Sequence, residues 1–75
     1  MTKHEYFEVW IQYKIGTRFN GSVICEATTE QFDTEEEAID YIEYIKENQP
    51  YLVNWQITKY STEVICQSEN FEVIY

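Results

Sequence analysis

The chain has 75 residues, with fourteen Asp plus Glu against five Lys plus Arg and one His, for a formal charge of −9. That length is one small domain, residues 1–75, with a thin core. The 44% apolar and 17% aromatic content is too high for a disordered acidic tail. The charge excludes direct nucleic-acid binding, which needs clustered Lys and Arg, and excludes a polybasic membrane-surface mode. No apolar stretch has signal-peptide or membrane-spanning length, so a cytoplasmic protein is expected.

From Glu5 to Ile15 the residues alternate strictly. Phe7, Val9, Ile11, Tyr13 and Ile15 share one side, and Tyr6, Glu8, Trp10, Gln12 and Lys14 the other. Period-2 alternation predicts a strand with its odd face on the core. Asn20-Gly21 then marks a hairpin, since both residues accept φ > 0. A two-residue turn there would direct Ile24, Glu26, Thr28 and Glu30 inward. A three-residue loop with Gly21 as a bulge would direct Val23, Cys25 and Ala27 inward. The second buries apolar groups in place of two glutamates and is the preferred register.

Phe32-Asp33-Thr34-Glu35-Glu36-Glu37-Ala38 opens a helix. Asp33 or Thr34 can cap it, each with a Glu three residues on, and the glutamates suit the positive end of the helix dipole. The helix is predicted to end near Asn48, ahead of Pro50. Leu52 to Tyr60 reads as a third strand with Val53, Trp55 and Ile57 on one face. Glu63–Cys66 and Phe71–Tyr75, separated by polar Ser68-Glu69-Asn70, form either a C-terminal hairpin or a continuation of that strand.

The expected class is α+β: an antiparallel sheet of three to five strands with one helix on one face, β-β-α-β with a possible C-terminal hairpin. The first strand sits centrally, in the order 2-1-3, with any C-terminal strand beside the third. At 100° per residue, Ala38, Tyr41, Ile42 and Ile45 fall on one side of the helix and Glu36, Asp40, Glu43 and Glu47 on the other. With one helix spent on one sheet face, nothing is left to cover the other, which carries Tyr6 and Trp10. Those two lie roughly 13 Å apart along the strand. They form a candidate contact surface or a pair that shields cross-strand neighbours.

Nine acids lie between Glu26 and Glu47, with Lys46 the only base among them. Glu36, Asp40, Glu43 and Glu47 span about 16 Å of helix axis. That is about 5.5 Å between neighbouring charges, of the order of, though wider than, the pitch of phosphates along a nucleic-acid strand, about 3.4 Å per charge. Such a ridge either keeps a small protein soluble or docks into a basic groove on a partner. Glu26 and Glu30 would extend the docking surface, and Tyr44, beside the stripe, would anchor it.

Catalysis is not expected. His4 is the only histidine, so no nucleophile has a plausible base. Gly16 and Gly21 are the only glycines, so there is no phosphate-cradling loop. No cofactor is implied, and Asp40 with Glu43 lacks calcium-loop spacing and would hold a divalent cation only weakly. Cys25 and Cys66 read as reduced thiols packed as small apolar groups, with a disulfide as the alternative and a metal pair unsupported.

The hairpin, the helix opening Phe32–Ala38 and the return strand Trp55-Gln56-Ile57-Thr58-Lys59 together resemble small acidic inhibitors encoded by bacteriophages and mobile elements. The layout over Phe7–Lys59 looks like that of the phage inhibitor of bacterial RNA polymerase. In size and acidity the chain is similar to several anti-CRISPR proteins and to the DNA-mimicking inhibitors of uracil-DNA glycosylase. The resemblance implies a non-enzymatic inhibitor of the anti-CRISPR or DNA-mimic type, acting in the host bacterial cytoplasm on a basic protein that handles nucleic acid. The alternative is a homodimeric structural or assembly protein joined through the open sheet face.

Overall fold

The computed structural model describes residues 5–74. It is α+β, with four strands and one helix in the order β1 (Phe7–Thr17), β2 (Val23–Phe32), α1 (Glu35–Asn48), β3 (Leu52–Lys59) and β4 (Glu63–Gln67). All pairings are antiparallel and the sheet order is β2-β1-β3-β4. The strand with the cleanest alternation is central, and β4 lies beside β3, as expected.

The odd residues of β1 turn toward α1. Phe7, Val9 and Ile11 meet Ala38 and Ile42 of the helix and Ile57 of β3, and these six are the buried apolar residues among those described. Tyr41, Ile45, Leu52, Trp55, Ile65 and Cys66 seal its margin. Burying a side chain such as Ile42 contributes roughly 1.5–3 kcal/mol. Lys59 lies 3.0 Å from Glu5 at the edge of this layer, and its ammonium also sits 5.8 Å from the Phe7 ring.

Thr34 is the helix cap. Its Oγ1 accepts from the Glu37 amide at 3.2 Å and donates to the Glu37 carboxylate at 3.0 Å. This satisfies one of the four free donors at the helix start and joins it to a residue of the acidic first turn. At the far end the Gln49 amide donates to the Ile45 carbonyl at 2.8 Å, and Pro50 lies just beyond.

Three expectations are overturned, and two of them share a cause. The hairpin loop is the three-residue kind. Gly21 donates to the Arg18 carbonyl at 2.9 Å, Arg18 donates to that of Ser22 at 2.7 Å, and Gly21 stands at φ +90°. The register inferred from that loop nevertheless fails. Between Lys14 and Gly16 the ladder skips Ile15, so Lys14 opposes Cys25 and Tyr13 opposes Glu26. One bulged residue reverses the parity of everything beyond it. Glu26, Thr28 and Glu30 therefore share the helix-side face with Tyr13, Ile11 and Val9, while Cys25 and Ala27 take the opposite face. Ile15 leaves the core side and stands half-exposed. A second bulge at Val53, between Gln12–Asn54 and Tyr13–Leu52, removes Val53 from the face it was to share with Trp55 and Ile57, and Leu52 replaces it.

The third correction concerns the far side of the sheet, which is covered over β1 and β3, where Trp10, Gln12 and Asn54 lie, while Ala27, Thr29 and Gln31 of β2 stay exposed. β3 and β4 join through Tyr60-Ser61-Thr62, with Tyr60 at φ 57° and Ser61 at φ 60°. Phe71–Ile74 adds no strand to the sheet. After β4 the chain turns at Asn70 (φ 57°) and runs across the face away from the helix.

Candidate protein-binding surface

All four ridge carboxylates lie on the solvent side of α1, because Ala38 and Ile42 on the opposite side are fully buried. Lys46 reaches Glu43 at 3.4 Å, with its ammonium 5.4 Å from the centre of the Trp55 ring. Among the described residues no ion pair involves Glu36, Asp40 or Glu47, so three of the four charges stand unneutralised. Tyr44 is 63% exposed and sits about 80° around the helix from Glu36.

The bulge at Ile15 has a direct consequence for this surface. By reversing the parity of β2 it brings Glu26 and Glu30 to the side of the sheet that carries the helix. The Tyr13 hydroxyl donates to Glu26 Oε2 at 3.2 Å, and this bond to a carboxylate, with some burial, raises the Tyr13 pKa. Tyr41 packs on Phe32 with ring centroids 5.1 Å apart. Burial first, and the Glu30 charge second, raise its pKa. Tyr41 and Tyr44 lie on the helix flank that faces β2, so an acidic and aromatic surface runs from the helix crest down to this edge strand.

Tyr6 and Trp10 do not belong to this surface, and they are not open. Tyr6 meets Tyr60 edge-on at 5.5 Å, and Trp10 meets Phe71 edge-on at 5.6 Å. Beside Trp10 lies a polar centre that residue type alone does not reveal. Gln12 and Asn54, neighbours across β1 and β3, are each only 4% exposed. Asn54 donates to Gln12 Oε1 at 2.9 Å and to the Glu72 carbonyl at 2.7 Å, and it accepts from the Glu72 amide at 3.3 Å. Gln12 donates to the Ile74 carbonyl at 2.6 Å and accepts from the Ile74 amide at 3.2 Å. No buried side-chain polar atom lacks a partner among the described residues. The available signal was Gln12 itself, an uncharged amide in the middle of the central strand, together with the alternation of Phe71 and Val73 in the last residues.

Cys25 and Cys66 are free thiols. They stand on strands at opposite edges and on opposite sheet faces, three strand spacings or roughly 14 Å apart across the sheet and further offset along it, since Cys25 is level with Lys14 and Cys66 with Val9, beyond disulfide reach. Burial is the main cause that raises the Cys66 pKa, helped by the Glu35 charge. No cluster of His, Cys, Asp or Glu among the described residues has the makings of a metal site, and no helix is long and apolar enough to cross a membrane. No protein-family model matches the chain, and neither a curated protein nor a solved structure matches it.

Proposed function

We propose that this chain is a non-enzymatic, phage- or mobile-element-encoded inhibitor that works by binding. Its acidic helix docks on a basic host protein that handles nucleic acid, a defence or transcription enzyme, in the manner of an anti-CRISPR protein or DNA mimic. The observation that supports the reading is the arrangement of Glu36, Asp40, Glu43 and Glu47 on one exposed crest, with a lysine at only one of them. Like charges one turn apart cost a few tenths of a kcal/mol per pair, so the ridge is kept against folding stability. Glu26 and Glu30 widen the field toward β2, and Tyr44 offers an exposed aromatic anchor of the kind enriched at binding hot spots.

Docking of this kind is steered by charge and weakened by salt, because the screening length falls from about 10 Å at 0.1 M to about 3 Å at 1 M. The test is capture from bacterial lysate on the immobilised chain, with a salt series and a short DNA duplex as competitor. Capture of a basic nucleic-acid-handling protein, lost at high salt, displaced by DNA and abolished by combined Glu36→Gln, Asp40→Asn and Glu47→Gln, is the expected result. Capture indifferent to salt and to those substitutions refutes the reading.

A further inference from the structure

The segment on the far sheet face is held by its main chain. Each of two carboxamides grips both the N–H and the C=O of one residue: Asn54 at residue 72 and Gln12 at residue 74. The two-residue interval is the repeat of an extended strand. The side chains of Glu72 and Ile74 are exposed, while Phe71 and Val73 are half-buried toward the sheet, where Phe71 meets the Trp10 ring and both border a depression walled also by Thr29, Gln56 and Thr58. A face that reads backbone groups at alternate residues and sets an aromatic ring, Trp10, against an intervening side chain is built as peptide-recognition sites on sheets are.

We propose that the face bearing Trp10, Gln12 and Asn54 is a binding site for an extended peptide segment. Within one molecule it is filled by residues 71–74, and between molecules by residues 71–74 of a second copy. The second copy is the occupant because its identical segment reproduces all four main-chain hydrogen bonds and the Phe71–Trp10 contact, so exchange loses no interaction at the site. The hinge favours release. Asn70 holds φ 57°, a left-handed conformation that asparagine adopts more readily than most residues but that only glycine adopts without penalty, and an opened hinge no longer requires it. Exchange of an identical element between copies is a low-cost route to a dimer. The proposal is independent of the acidic helix, and its salt dependence has the opposite sign. Two copies at −9 each repel, so salt strengthens this association.

The experiment uses the full chain and two hinge variants in sedimentation equilibrium up to millimolar concentration, at low and high salt. Proline fixes φ near −65° and cannot hold the closed hinge, whereas glycine holds it without strain. Asn70→Pro is expected to dimerise at least about tenfold more tightly than the parent chain, and Asn70→Gly more weakly. Adding Gln12→Ala and Asn54→Ala to Asn70→Pro should return a monomer. Where Asn70→Pro loses its native circular dichroism, a synthetic peptide of residues 68–74 is titrated into the isotope-labelled parent chain. The side-chain amides of Gln12 and Asn54 and the Trp10 indole should then shift at saturation. A folded Asn70→Pro that stays monomeric, a dimer that survives loss of both carboxamides, or a peptide that leaves those amides unmoved overturns the proposal.

Discussion

Replacing Asn54 by Asp exchanges one atom and reverses the logic of the polar centre on the far sheet face. Asn54 donates twice, to Gln12 and to the Glu72 carbonyl, and accepts once, from the Glu72 amide. An ionised Asp keeps the acceptor and loses both donors, which sets a carboxylate against two oxygens in a site only 4% exposed. Asn54→Ala serves as the reference. It removes three hydrogen bonds worth about 1 kcal/mol each, a loss of roughly 2–4 kcal/mol, or about 10–20 °C in Tm for a domain of this size. Asn54→Asp should lose more than Asn54→Ala at neutral pH, because a buried charge without a donor adds its own penalty. The folded-state pKa of the new Asp is raised above its unfolded value, about 3.9. Its stability is therefore fully present below that value and is lost as pH rises through the raised one. On acidification the protonated carboxyl donates again, and the gap to the parent chain should narrow. Urea unfolding followed by tryptophan fluorescence, at neutral and acidic pH, reads both numbers. Asn54→Asp as stable as the parent at neutral pH, or a gap that does not change with pH, refutes the account of this centre.

Removing a ridge charge should raise stability where the helix dipole does not favour that charge. Glu47→Gln is expected to add a few tenths of a kcal/mol at low salt, since it removes both a like-charge neighbour of Glu43 and a negative charge at the C-terminal end of the helix, with the gain fading in high salt, as read by urea midpoints. Glu36→Gln should gain nothing, because its carboxylate stands in the first turn, where the helix dipole offsets the repulsion. Thr34→Ala deletes the helix cap and should cost about 1 kcal/mol in the same assay. Ser61→Gly relieves the left-handed residue in the β3–β4 turn and is expected to raise the midpoint by up to about 1 kcal/mol. Tyr60→Gly should not, because it also forfeits the edge-on contact with Tyr6. The raised pKa of the Cys66 thiol means that its contribution to stability is present at neutral pH and is lost in alkali, as pH rises through the raised value. Thiolate absorbance against pH should show one thiol of Cys66→Ala's parent titrating late, and that late step should be missing from the variant.

The acidic crest was legible because a helix is a local object. Thr34 and Pro50 bound it, and a 3.6-residue period assigns Ala38 and Ile42 to the core and Glu36, Asp40, Glu43 and Glu47 to solvent whatever lies beneath. The alternation of Phe7, Val9 and Ile11 likewise located the central strand and its buried side, and with the hairpin and the helical return it gave the strand order. Alternation fails where the ladder is interrupted. The three-residue loop at Gly21 follows from the local residues, yet Ile15 steps out of register and every residue of β2 beyond it changes face, which is why Glu26 and Glu30 come to lie on the helix side. The one local signal is Gly16, since an isolated glycine inside a strand pattern is where bulges form, but which residue steps out depends on how the two strands settle on what they cover.

The far face shows the same division. The pairing of Gln12 with Asn54 joins residues 42 positions apart, and the main chain they hold lies 62 and 18 positions away from them. The elements, their order and the outward charge of the helix follow from periods of two and 3.6 residues and from caps a few residues long, all local properties of the chain. The side of the sheet on which β2 presents its glutamates, and the segment that covers Trp10, emerge only once the chain is packed. Both depend on contacts whose partners are distant along the chain and whose hydrogen-bonding groups are the same in every residue's backbone.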